Sequence, residues 1–257
     1  MDLGLAGRNA LVLGSTSGLG WAIAQGLDRE GANVVVVGRD LGRAQERART
    51  LTSAVGLQAD LTEAGAAGAL VAATREAVGE VDVLVLNGGG PTPGTAVEFA
   101  GSDLDAAVDL LVRSQLDLVR EVLPGMTERG WGRVVAVGSS GVVAPLPNLV
   151  ASNVGRAALA GYLKSLAAEV ADRGVTVNMV LPGRISTGRV AQLDQATAER
   201  TGLTPEEART AAEATIPAGR YGQPEEFAAV AVFLAGEPAA YVTGTQVRCD
   251  GGLVRSF

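Results

Sequence analysis

Apolar, β-branched runs alternating with helix-length segments set the strongest limit on what this 257-residue chain folds into. NALVLG at 9–14, NVVVVG at 33–38, VDVLVLN at 81–87, GRVVAVGS at 132–139, VTVNMVLP at 175–182 and TQVRCD at 245–250 are the candidate strands, most of them apolar at nearly every position. A strand with one wet face alternates apolar and polar residues, whereas a strand covered on both faces does not. Between them, 18–31, 40–55, 63–79, 102–129 and 151–173 are long enough for crossover helices. The pattern predicts an α/β fold, a doubly wound parallel sheet of the Rossmann kind with three αβα layers, in one domain spanning 1–257. No Pro-, Gly- or Ser-rich linker and no internal repeat divides it. Residues 183–217 follow a strand end with little apolar periodicity. Ligands of such sheets lie beyond the carboxyl ends of the strands, so this stretch is expected to be a substrate lid.

Composition removes several kinds of chemistry. The chain has no histidine and a single cysteine, Cys249, which leaves no Ser-His-Asp or Cys-His triad, no internal disulfide and no expected metal site. A net charge of −7 without any basic block argues against a nucleic-acid partner. Charged residues interrupt every apolar run well short of the roughly 20 residues needed to span a bilayer. The N-terminal stretch has neither a basic leader nor a small-residue cleavage site, so a cytoplasmic protein with no membrane partner is expected.

Gly14-Ser15-Thr16-Ser17-Gly18-Leu19-Gly20 follows the first strand and opens a helix. Glycines there permit a tight turn and let backbone N–H groups approach a pyrophosphate at the positive end of the helix. The second strand ends in Val37-Gly38-Arg39, without an acidic residue to accept from a ribose 2′-hydroxyl. A guanidinium at Arg39 pairs instead with a 2′-phosphate, which favours NADP over NAD; the other reading of Arg39 is a solvated side chain that begins the next helix.

The GxxxGxG spacing resembles that of the short-chain dehydrogenases/reductases, although Leu13 stands where that family has threonine. Further segments match in order along almost the whole chain. Asp60-Leu61 resembles the pair that contacts adenine, and Asn87-Gly88-Gly89-Gly90 the turn after the fourth strand. Pro182-Gly183 with Ile185 and Thr187 resembles the segment closing over the nicotinamide. Gly219 to Glu226, Tyr241 to Gly244 and Asp250-Gly251-Gly252 complete the series. The resemblance, nearest to 3-oxoacyl-(acyl carrier protein) reductases, implies an NADP-dependent oxidoreductase reducing the carbonyl of a small or acyl-type substrate. It also implies a homo-oligomer, dimer or tetramer, packed through the helices near 102–129 and 151–173.

The same resemblance places a departure at the catalytic positions. Ser139, with Ser140 as the alternative register, falls at the serine that binds the carbonyl oxygen. Ser152 falls where the family has its proton-donating tyrosine, Arg156 at its lysine, and Leu111 at the asparagine that anchors a relay water. A serine hydroxyl is too weak an acid to replace tyrosine, and a guanidinium does not deprotonate, so Ser139, Ser152 and Arg156 imply an atypical proton path. Arg156 remains able to bind an anion or the ribose. Tyr162, Tyr221 and Tyr241 are expected in core or interface roles, Tyr162 about 15 Å along its helix from Ser152. Arg113, Arg184 and Arg189 either reach the cleft mouth, favouring a negatively charged ligand, or are surface side chains. Two other functions stay open: a non-redox cyclase, dehydratase or isomerase, and a nucleotide-binding protein without catalysis.

Overall fold

A computed structural model describes residues 1–256 of the chain. The strands are β1 (Asn9–Val12), β2 (Asn33–Gly38), β3 (Ala54–Gln58), β4 (Val83–Leu86), β5 (Gly132–Val137), β6 (Val175–Pro182) and β7 (Gln246–Cys249). The helices are α1 (Gly18–Arg29), α2 (Leu41–Ala48), α3 (Ala66–Val78), α4 (Gly101–Val108), α5 (Ser114–Glu128), α6 (Val150–Val170), α7 (Gly188–Thr201), α8 (Pro205–Glu213) and α9 (Pro224–Ala235).

All strands pair in parallel in the order β3-β2-β1-β4-β5-β6-β7. Successive strand residues point to opposite faces, and here both sets are mostly apolar, Arg133, Thr176 and Asn178 being buried exceptions. Leu11, Val35 and Leu84 pack under α3, α5 and α6. Ala10, Val34 and Val83 pack under α1, α2 and α9. The doubly wound, three-layer arrangement follows directly. The strand order reverses between β1 and β4, which opens a crevice at their carboxyl ends.

Three elements differ from the sequence expectation. The helix expected over 40–55 stops at Ala48, and 54–58 is the edge strand β3. Gly56 faces the backbone of Ala44 and Gln45 so closely that no Cβ fits there, a contact that local periodicity does not display. The expected helix over 102–129 is interrupted by a π turn at Asp109–Arg113, which carries one extra residue and buries Leu111. The stretch expected to be an aperiodic lid is the helical pair α7–α8. Thr187 caps α7, Gly202 ends it in a left-handed conformation, and Thr204 with Glu207 forms a capping box that starts α8. Among the described residues no helix is long and apolar enough to cross a membrane.

Candidate nucleotide and substrate site

The turn after β1 is shaped by glycine. Gly14 and Gly18 have φ of 54° and 59°, in the left-handed region that favours glycine. A Cβ on Gly20 would stand 2.5 Å from the Gly14 carbonyl oxygen and 2.6 Å from Asn87 Nδ2. Ser17 caps α1 with extended backbone and makes no side-chain cap bond, so the first-turn N–H groups, including those of Gly18, Leu19 and Gly20, lack an intrahelical acceptor. Their donors and the positive end of the helix suit an anion. The exposed backbone of Gly88 and Gly89 lines the same crevice, with open space beside Gly89.

Two of the residues expected to contact the nucleotide brace the turn itself. Ser15 is fully buried; its hydroxyl donates to Val12 O at 2.6 Å and accepts from Val37 N–H at 2.9 Å. Its side chain therefore ties β1 to β2 and does not reach the crevice, which corrects the expectation. Asn87 Nδ2 donates to Leu13 O at 3.1 Å and Gly14 O at 3.3 Å, clamping the turn to the end of β4. Thr16 is braced too, its carbonyl accepting from Arg47 Nε at 3.2 Å while the Arg47 guanidinium stacks on Trp21.

At the end of β2, Arg39 is exposed, and among the described residues it has no carboxylate within ion-pair distance. The neighbouring acid, Asp40, caps α2 by accepting from Arg43 N–H at 2.9 Å. Asp60 accepts from the hydroxyl and N–H of Thr62, which hold its carboxyl below the ordinary range, aided by the charge of Arg39. Leu61 packs on the core beside it.

At the inner end, Ser139 Oγ accepts from Gly141 N–H at 3.0 Å, leaving its own proton free to donate. Ser139 is half-buried and Ser140 is buried. Arg156 reaches from α6 to the end of β5, where Nη1 donates to Val137 O at 2.6 Å. Removal from water, and then the charge of Arg189, lower its guanidinium to about 10. It stays cationic at neutral pH. Ser152 lies one helical turn before it, on the same face. Asn153 holds the adjoining loop at two points, donating to Leu146 O at 2.9 Å and accepting from Leu146 N–H at 3.2 Å. Leu111 packs against Gly155, where a Cβ would come within 2.8 Å of it.

Sequence reasoning missed Gln115. Its carboxamide is buried near Gly88, Nε2 donates to Ser114 Oγ at 3.2 Å, and Oε1 has no protein partner. The signal was a polar residue within the apolar stripe Leu111, Leu118, Val119 and Val122.

The segment after β6 closes the crevice. A Cβ on Gly183 would lie 2.7 Å from the Asp250 Cα, so Pro182-Gly183 runs tight against the neighbouring chain. Ile185 buries its side chain, and the bridge to Gly222 is made by Ser186 N–H and Arg184 C=O, leaving the N–H and C=O of Ile185 outside it. Thr187 lies over the turn, its methyl 3.9 Å from the Cβ position of Gly18.

The candidate arginines separate by partner. Arg113 pairs with Asp109 at 2.7 Å on the exterior, and Arg184 pairs with buried Asp194 at 2.7 Å. Only Arg189 of the three crosses the crevice, donating from Nη2 to Pro91 O at 3.0 Å. The tyrosines lie elsewhere: Tyr162 is half-buried along α6, and Tyr241 is fully exposed. Tyr221 is buried with its hydroxyl donating to Asp194 Oδ1 at 2.9 Å, and burial and that bond push it up to about 12.

A parallel sheet with a glycine-lined crevice at its switch point, and a Ser-bearing strand end beside it, defines a dinucleotide-binding α/β protein. The chain belongs to the short-chain dehydrogenase/reductase family of oxidoreductases. The family description enoyl-(acyl carrier protein) reductase matches residues 14–254. The chain is 35% identical over 260 residues to the 3-oxoacyl-[acyl-carrier-protein] reductase FabG of Pseudomonas aeruginosa, covering 99% of this chain and 100% of that protein. It is 32% identical over 255 residues to the D-beta-hydroxybutyrate dehydrogenase of Cupriavidus necator, covering 97% and 99%. The structure of L-sorbose reductase from Gluconobacter frateurii, complexed with NADPH and L-sorbose, superposes with a TM-score of 0.94 at 32% identity over 100% of both chains.

Proposed function

We propose that this chain is a cytoplasmic, NADP(H)-dependent reductase of a carbonyl on a small or acyl-type substrate, a single domain over 1–257 with 183–217 as its lid. The observation that carries the reading is the cradle at the α1 N-terminus, which a Cβ on Gly20 would fill and whose free N–H groups suit a pyrophosphate. Gly14, Thr16, Ser17, Gly18, Leu19 and Gly20 would hold that group. Arg39 would pair with the 2′-phosphate, with Asp60 and Leu61 beside the adenine. Asn87, Gly88 and Gly89 would floor the nicotinamide end, and Pro182, Gly183 and the free backbone groups of Ile185 would face its carboxamide. NADPH, when bound, supplies a hydride.

The chain's own residues then have separable tasks. Ser139 donates its hydroxyl proton as a hydrogen bond to the substrate carbonyl oxygen, oriented by the bond from Gly141 N–H. Arg156 supplies a fixed positive charge where negative charge develops on that oxygen. Ser152 orders a water that relays a proton from bulk solvent to the reduced oxygen, since neither its own hydroxyl nor the guanidinium of Arg156 is a suitable acid. This path replaces the tyrosine and lysine that the family resemblance implies at 152 and 156. Dimer or tetramer assembly through α5 and α6 belongs to the same reading.

NADPH consumption with a panel of ketones, keto acids and β-ketoacyl thioesters tests it. Ser139→Ala is expected to lower kcat by about 10²–10³, the usual loss for one oxyanion donor, with NADPH affinity retained. Tight NADPH binding with no turnover on any carbonyl refutes the reductase reading. One observation favours a second, non-redox reading: the tyrosines of the chain lie away from Ser139. Substrate conversion without added nicotinamide would establish it.

A further inference from the structure

We propose that the substrate carries a carboxylate, gripped by Arg189 with Arg156 as the second positive charge; this rests on the reductase reading of the site. The two guanidinium groups come from different helices. Arg156 comes from α6 to the end of β5, and Arg189 from the first turn of α7 to the segment after β4. β4 and β5 are hydrogen-bonded neighbours, with Leu86 opposite Ala136; Arg156 bonds the last residue of β5, two before Ser139, and Arg189 bonds the segment that continues from β4. Arg189 lies against the Gly90 backbone, its Nη2, Nε and Cζ between 3.1 and 3.3 Å from the position of an added Cβ.

Each group uses a backbone carbonyl as partner and retains unused donors, since a guanidinium carries five N–H bonds. Among the described residues neither has a carboxylate within 4.0 Å, whereas Arg113, Arg184, Arg209 and Arg220 all do. Two like charges left uncompensated beside one cleft raise its affinity for an anion, and the charge of Arg189 adds to the burial that lowers Arg156. The region is locally positive on a chain whose net charge is −7. A planar carboxylate matches the fork of a guanidinium with two parallel bonds. The α1 N-terminus would serve the cofactor pyrophosphate, whereas Arg156 is held at Val137, two residues before Ser139.

The test uses the full-length protein with NADPH and two oxo acids, 2-oxohexanoate and 5-oxohexanoate, each against its methyl ester. At least one acid is expected to exceed its ester in kcat/KM by roughly 10- to 100-fold, the range of one to two charge-assisted hydrogen bonds. Arg189→Met is expected to collapse that ratio to about 1–3 through KM, with NADPH affinity by calorimetry unchanged. Arg113→Met, which alters an exterior pair, keeps the ratio. Equal rates for acid and ester in the unmodified protein overturn the proposal and leave the reductase reading standing. So does an Arg189→Met variant that weakens NADPH binding at an unchanged acid-to-ester ratio. Binding of hexanoate against methyl hexanoate to the NADP⁺-saturated protein separates the remaining cases. If no carbonyl turns over but hexanoate binds preferentially and Arg189→Met abolishes that preference, the anion site stands and the reductase reading falls. If hexanoate shows no preference either, both fall.

Discussion

Asp194 holds the α7–α8 pair to the body of the protein through one buried carboxylate. It accepts from Arg184 at 2.7 Å, on the segment leaving β6, and from the Tyr221 hydroxyl at 2.9 Å, on the approach to α9. Asp194→Ala removes both bonds. The tyrosine bond to a charged acceptor accounts for about 1.5–3 kcal/mol. The ion pair adds less than a buried one because the Arg184 side chain is 34% exposed and screened by solvent. A total of about 3 kcal/mol converts to roughly a 100-fold change in the local opening equilibrium. Hydrogen exchange measured by mass spectrometry under conditions where closing outruns exchange is expected to show that loss of protection across 188–213. Amides of β1, β4 and β5 should be unchanged, because helices held by few contacts open below the global free energy. Asp194→Asn keeps an acceptor for the tyrosine and is expected to lose only about 10-fold. Unchanged exchange in 188–213 would mean that apolar contacts of Ala198, Ala208 and Ile216 hold the pair unaided. A uniform loss over the sheet would mean that Asp194 belongs to the global core. Either result refutes the reasoning.

Three further outcomes follow from named contacts. Arg39→Asp is expected to weaken NADPH by about 10- to 100-fold and to favour NADH, measured by calorimetry; an unchanged preference removes Arg39 from the nucleotide site. Gly20→Ala drives a methyl into Gly14 O and Asn87 Nδ2, and a cost of about 1–3 kcal/mol should appear as a lowered denaturant midpoint together with weakened nucleotide binding. Tyr221 titrates at about 12 when folded against an ordinary 10.0, so the unfolded chain releases that proton first as pH rises. Its contribution is therefore complete below pH 10 and declines toward 12. Tyr221→Phe should flatten that part of the alkaline denaturation curve.

The sheet was legible because β1, β2 and β4 are apolar on both faces, and β5 and β6 are so apart from Arg133, Thr176 and Asn178, a pattern few other settings permit. β3 was legible only through the resemblance, which sets a third strand before Asp60-Leu61, since in the pattern its place depends on Gly56 meeting the α2 backbone across the fold. α7 and α8 were not legible, since their polar surfaces hide a helix that Thr187, Gly202 and the Thr204–Glu207 box nonetheless announce. In the site, the glycine turn could be read from spacing, because backbone conformation is a local property. What Ser15 and Asn87 bond to is tertiary information, and both turn out to brace the turn. Charge was visible at Arg113, Arg184 and Arg189, but the presence or absence of a carboxylate partner was not. Gln115 was overlooked because an amphipathic helix tolerates an occasional glutamine, and its place beside Gly88 is a contact across the fold.

The π turn at Asp109–Arg113 makes the chain unusually tolerant of a change in length at one place. An α turn takes about 3.6 residues and the π turn holds one more, so deleting a single residue within 109–113 would heal the helix into regular geometry and leave its two flanks in nearly the same rotational phase. The core stripe of α5, Leu118, Val119, Val122 and Met126, would keep its face, and α4 its contacts with α6. Homologues one residue shorter here should thus keep both flanking helices in place and differ at the wall where Leu111 meets Gly155.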